Sequence, residues 1–156
     1  MSANDFFAKG YGYFEQKQYQ KAIKEYEKAL KIDSKHYKVW YNTGVAYGMI
    51  GEHYKAIECF QKVIELNPNL SEAWYAMAVA YGALEDHKKV IESCQKTVEL
   101  NPKHEKAWFN MGVAYGILGN HVQEIKCFEK ALEIDPNNEI TKRKLEDAKK
   151  KSVTSP

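Results

Sequence analysis

Three tryptophans, Trp40, Trp74 and Trp108, stand 34 residues apart, and most of the chain repeats with them. The segments VWYNTGVAYGMIGEHYKAIECFQKVIELNP (39–68), AWYAMAVAYGALEDHKKVIESCQKTVELNP (73–102) and AWFNMGVAYGILGNHVQEIKCFEKALEIDP (107–136) align without a gap. A more diverged copy, DFFAKGYGYFEQKQYQKAIKEYEKALKIDS, occupies 5–34 in the same register. A fixed period of this length marks a solenoid, in which no unit can bury its apolar face without a neighbour. The repeats run over about 3–36, 37–70, 71–104 and 105–138, and a capping helix is expected over about 139–151. Together, 1–151 read as one domain, with 152–156 as a disordered tail.

Each repeat reads as two helices. In 37–70, the chain can run as a first helix (A) to about 50, turn at 51–53, and continue as a second helix (B) from about 54 to 66. Gly51 sits where a helix ends in a left-handed conformation, Pro68 prevents continuation, and Ser71 is placed to cap the next start. Gly119 repeats the turn glycine, whereas Lys17 and Glu85 replace it and should strain their turns. Helix B is amphipathic: Lys55, Glu58, Lys62 and Glu65 share one face, and Ala56, Ile57, Phe60, Val63 and Ile64 share the other. The spacings Glu58 to Lys62 and Glu92 to Lys96 suit ion pairs one turn apart. Helix A is apolar nearly all round, with only Lys38, Asn42 and Thr43 polar. Such a helix is buried between neighbours or lines a binding surface.

Charge and composition exclude several classes. A net charge of +2 and the absence of a basic stripe argue against nucleic acid as a partner. The basic residues Lys142, Arg143, Lys144 and Lys149 to Lys151 are interrupted by Glu146 and Asp147, as on a solvated helix. Cys59, Cys94 and Cys127 have neither disulfide-scaffold density nor metal-ligand spacing and read as reduced packing residues. The first residues lack the cationic and apolar regions of a secretory signal, and no run reaches the length of a membrane span. A soluble, cytoplasmic protein is the expectation.

The residues that recur resemble the tetratricopeptide repeat. That pattern is visible as Trp40, Gly44, Tyr47, Ala56, Phe60, Val63 and Pro68, then as Trp74, Ala78, Tyr81, Val90, Cys94, Thr97 and Pro102. It returns as Trp108, Gly112, Tyr115, Glu124, Phe128, Ala131 and Pro136, and in worn form as Phe6, Gly10, Tyr13, Ala22, Tyr26 and Ala29. The resemblance implies an all-α solenoid of four helix-turn-helix repeats in a right-handed superhelix. Its A helices would line an inner groove for a peptide, helix or partner protein. Two departures stand out. Glu124 replaces a small buried residue, so it should either snorkel outward or loosen the last hairpin, and Cys94 and Thr97 under-fill the third helix B.

Residues left over from the packing pattern form rows on the A helices. Phe7, Tyr41, Tyr75 and Phe109 make an aromatic strip of the kind that marks interaction sites. Tyr11, Val45, Val79 and Val113 make a second row, which either packs successive A helices or lines the groove. A third row holds Glu15, Met49, Ala83 and Ile117, and a fourth Phe14, Gly48, Gly82 and Gly116. Asn42 and Asn110 flank the strip and could meet the backbone of an extended peptide. The polar clamp with which some relatives hold acidic C-termini keeps one of its five residues here, Asn42, so that mode is rejected.

His53, His87 and His121 also recur, but helices pack about 8–10 Å apart, too far for three rings to reach one metal ion. They are expected to pack where the family has an aromatic. Gly44 and Gly48 mimic a membrane dimer motif without the apolar span it needs, and Gly10-Tyr11-Gly12 lacks the rest of a dinucleotide fingerprint. No catalytic, cofactor or metal constellation emerges. The reading is a non-enzymatic interaction scaffold that binds a protein or peptide partner. Self-assembly into a homo-oligomer is the rival within binding proteins, and an enzyme the remote one.

Overall fold

The computed structural model describes residues 1–154, among which nine helices and no strand occur. They are α1 (Ala3–Glu15), α2 (Tyr19–Ile32), α3 (Tyr37–Met49), α4 (His53–Leu66), α5 (Ser71–Ala83), α6 (His87–Leu100), α7 (Glu105–Ile117), α8 (His121–Ile134) and α9 (Glu139–Thr154). The chain divides into two compact units, Met1–Leu84 with α1 to α5 and Glu85–Pro156 with α6 to α9. Within each unit, helices consecutive in sequence pack side by side, so the tandem hairpins expected from the period are present.

Local chemistry sets the helix ends. Ser2 and Asp5 form a capping box: Ser2 Oγ accepts from the Asp5 amide at 3.2 Å, and Asp5 Oδ2 accepts from the Ser2 amide at 2.6 Å. Those bonds hold the Asp5 carboxyl below its ordinary value. Gly51 and Gly119 turn with φ of +80° and +79°. Lys17 and Glu85 adopt φ of 58° at the equivalent places, a conformation that costs a residue with a Cβ. Ser71 does not cap α5. Leu70 holds the cap position, Ser71 is already the first helical residue, and no side chain closes that end. Asp86 and Asn120 do cap, accepting from the amides of Lys89 at 3.1 Å and Gln123 at 3.2 Å.

Three of the hairpins close by setting a glycine against a ring. A Cβ on Gly44 would lie 2.7 Å from Phe60 Cε1, and one on Gly112 would lie 2.8 Å from Phe128 Cε1. Gly10 lies equally close to the ring of Tyr26. Phe60, Phe128 and Tyr26 are buried, as are the alanines around them. The outer faces of the B helices carry ion pairs, but in a different register from the one expected. Lys62 meets Glu65, Lys89 meets Glu92, Lys96 meets Glu99 and Lys130 meets Glu133, each three residues apart. All are solvent-exposed and contribute little stability.

The tryptophans do not sit in the core. Trp40, Trp74 and Trp108 are half-buried, and each indole N–H reaches back six residues to a turn carbonyl. The distances are 2.8 Å to Ser34, 3.5 Å to Pro68 and 2.9 Å to Pro102. Each ring therefore ties helix A to the turn that precedes it, which explains why the residue recurs without being fully enclosed.

Helix α9 packs on α8 and buries Thr141 and Ala148, with Leu145 half-buried beside them. Ser152, Val153 and Thr154 continue this helix rather than forming a loose tail, and the remaining two positions of the expected tail lie outside the described residues. Truncation after 138 should uncover the apolar side of α8. The expected loss is about 2–3 kcal/mol, roughly 5–10 °C in melting temperature. Calorimetry of the shortened chain checks this. An unchanged melting temperature would show that α9 caps nothing.

Candidate functional site

In the first unit, α3 and α5 flank a cleft of about 360 Å³ floored by Ala56 and Phe60 of α4. Seven residues of the sequence rows come together there: Tyr41, Val45, Gly48 and Met49 from α3, with Tyr75, Val79 and Ala83 from α5. The cleft exists because the facing positions are small. Gly48, Ala76, Ala80 and Ala83 line it, and a Cβ built on Gly48 would meet nothing within 4 Å. Glu72 and His53 also border the cavity, and the rows of apolar residues gave no sign of either. The walls are otherwise apolar, so the cleft is suited to apolar side chains rather than to bond-making chemistry.

The aromatic row has two tasks. Tyr41 leans on Phe60 with ring centroids 5.7 Å apart, Phe109 leans on Phe128 at 5.7 Å, and Phe7 leans on Tyr26 at 5.8 Å. Phe7, Tyr41, Tyr75 and Phe109 are all half-buried, so one edge of each is committed to its surroundings. Burial, and secondarily the charge of Glu72, raises the Tyr41 hydroxyl above its usual range, keeping it a neutral donor. The second and third rows are more open. Met49 is 56% exposed, Val79 50%, Tyr11 49% and Ile117 58%, while Val45 and Val113 are half-buried. Phe7 and Tyr11 stand on α1, and Phe109, Asn110, Val113 and Ile117 on α7 of the second unit.

Asn42 is less available than its position suggested. Its side-chain N–H donates to the Lys38 carbonyl at 2.8 Å within the same helix. Asn110 is half-buried on α7. Glu124 neither snorkels nor opens the hairpin: it is buried, and its Oε2 lies 2.7 Å from His121 Nδ1. His53, His87 and His121 open α4, α6 and α8, and all are half-buried. Cys59, Cys94 and Cys127 are buried and unpaired, and burial pushes each thiol up to about 12, so they are neutral at physiological pH. Among the described residues, no three His, Cys, Asp or Glu side chains gather as a metal site, and no helix is long and apolar enough to cross a membrane.

Sequence reasoning missed the exposed apolar residues that accompany Met49 and Ile117 at the turns between helices A and B. Met49, Ile50 and Tyr54 are exposed around Gly51, and Ile117, Leu118 and Val122 are exposed around Gly119. The same three repeat positions are thus apolar in the second and fourth repeats, where Glu15, Gln16 and Gln20 stand in the first. Apolar residues beside a turn glycine were the available signal.

Helical hairpins with an apolar cleft between their first helices define a repeat-built interaction fold. The model of the tetratricopeptide repeat matches residues 37–70, 71–104 and 105–138, and a second tetratricopeptide model matches 10–51. The chain belongs to the tetratricopeptide repeat family. No curated protein matches it. Among solved structures, the MamA protein is 24% identical with a TM-score of 0.92, covering 97% of this chain and 82% of that one. A MamA segment from Desulfovibrio magneticus RS-1 is 24% identical with a TM-score of 0.81, over 88% of this chain and 78% of that one. The first tetratricopeptide domain of Spaghetti (RPAP3), solved with the HSP90 peptide SRMEEVD, is 27% identical with a TM-score of 0.72, over 79% of this chain and 97% of that one.

Proposed function

We propose that this protein is a non-enzymatic interaction module that takes an apolar segment of a partner protein into the cleft between its A helices. The observation that carries the reading is the cleft of the first unit, where Tyr41, Val45, Met49, Tyr75 and Val79 surround apolar space. Half-exposed apolar side chains around a concave site gain by giving up water to a ligand. The peptide-bound Spaghetti domain supports peptide binding as the general task. The acidic character of that peptide does not carry over, because the cleft here offers Glu72 and no lysine or arginine.

The test uses peptides selected from a random library on the wild-type protein. Met49→Glu and Val79→Glu in the first unit, and Ile117→Glu in the second, place a charge on exposed positions and should leave helicity near wild type. Isothermal titration should show binding weakened by about 1–3 kcal/mol by Met49→Glu and Val79→Glu, and by Ile117→Glu only if the peptide also reaches the second unit. Unchanged affinity in all three variants would refute cleft binding. Self-association is a second reading, favoured by the exposed Ile50, Tyr54, Leu118 and Val122. Sedimentation of the same proteins separates the two, since a mass that rises with concentration in wild type and not in the variants would identify another copy as the occupant.

A further inference from the structure

Two facing positions, one on helix A and one on helix B, set the room inside each hairpin near its turn. They hold Phe14 and Ala22 in the first repeat, Gly48 and Ala56 in the second, Gly82 and Val90 in the third, and Gly116 and Glu124 in the fourth. Only the second repeat is small at both. The consequence is visible in the packing. The Glu124 carboxylate lies against Gly116, whereas a Cβ built on Gly48 would meet nothing within 4 Å. Gly48 and Ala56 both line the cleft of the first unit, so the open space over Gly48 belongs to that cleft.

The first repeat carries a side chain at that place. Phe14 stands on α1 where Gly48 stands on α3, and its ring meets Tyr19 edge to face, with centroids 5.2 Å apart and planes at 66°. Both rings are half-buried against the core cluster that contains Ala22 and Tyr26. Tyr19 opens α2 as His53 opens α4, at the equivalent position. His53 borders the cleft. The second repeat therefore has the platform, an imidazole in place of a phenol, without the ring that rests on it. Aromatic rings favour tilted and edge-to-face contacts of this kind.

We infer that the space over Gly48 seats one aromatic side chain of the bound partner segment, its ring taking the place that Phe14 holds in the first repeat and resting on His53. This rests on the proposed cleft reading and narrows it, from an apolar segment to one that carries a phenylalanine, tyrosine or tryptophan. The other walls suit a ring. Ala80 and Ala83 are small enough to let it approach, and the exposed, adaptable Met49 can close over it. An aromatic side chain brings a large apolar area to such a place with only two torsions to fix.

The experiment selects peptides from a random library on the wild-type chain, then titrates them onto Gly48→Phe and Ala56→Val, which copy Phe14 of the first repeat and Val90 of the third. Each substitution fills the seat from a different helix, so one carries the test if the other folds poorly by circular dichroism. Selected peptides should share an aromatic residue, and exchanging it for alanine should weaken binding to the wild type by about tenfold or more. Either variant should bind the aromatic peptide about tenfold more weakly than the wild type does, and lose less than about twofold more when the ring is removed. Peptides without an aromatic residue, or equal losses on all three proteins when the ring is removed, would overturn the seat. If Met49→Glu and Val79→Glu still weaken those peptides, the cleft reading stands without it, and if they do not, both fail. A wild-type mass that rises with concentration, beside a Gly48→Phe protein that stays monomeric, would overturn the partner as occupant and make the seated ring that of a second copy.

Discussion

Phe128→Ala should be the most damaging single truncation in the second unit, lowering stability by about 3–5 kcal/mol. The ring is fully buried, fits against Gly112 with no room for a Cβ between them, and supports Phe109 from below. Removing it leaves a cavity that Gly112 cannot fill, so the transfer and cavity costs add. Trp108→Ala removes a larger side chain and should nevertheless cost less, about 1–3 kcal/mol, because the indole is half-buried and its N–H can return to water. Urea denaturation of both variants measures the order. A greater loss at Trp108 would mean that the indole's tie to the turn matters more than hairpin packing.

Gly44→Ala should destabilise by about 1–3 kcal/mol, although alanine is the better helix former. Its Cβ would stand 2.7 Å from Phe60 Cε1 and 3.0 Å from Cδ1 and Cζ, and the ring cannot easily retreat because the tilted ring of Tyr41 leans on it. Gly48→Ala, one turn along the same helix, faces open space and should be neutral or stabilising by about 0.5–1 kcal/mol from propensity alone. Combining Gly44→Ala with Phe60→Leu should recover part of the loss by freeing ring volume. Thermal unfolding of the three proteins decides the matter: equal effects at Gly44 and Gly48 would show that close approach to Phe60 is not what the glycine provides.

Both results bear on function, because the floor of the cleft and the core of the hairpin are the same rings. Phe60 lines the cavity with one face and closes on Gly44 with another. Substitution of Tyr41 should therefore disturb stability as well as binding, whereas Met49, Val79 and Ile117 can be changed from the solvent side.

The period of 34, the turn glycines and the amphipathic B helices were enough to determine the helical hairpins and their order, whereas the close approach of Phe60 to Gly44 emerged from the packing. The hairpins and their order are short-range properties, set by which residues lie one turn apart and which backbone conformations each tolerates. The apolar rows were also legible, and seven of their residues do meet around one cleft. Their burial was not, because it depends on how far a ring leans onto the neighbouring helix, as Tyr41 does onto Phe60. Asn42 looked like a donor for a ligand until the tertiary structure showed its N–H turned back to Lys38. Glu124 shows the limit most clearly: the sequence marked a carboxylate out of place, and only the packing of α7 and α8 decided that it is enclosed beside His121 and Gly116. A residue's type fixes what it can bond to, while the direction of its side chain and the company it keeps are settled by neighbours distant in sequence.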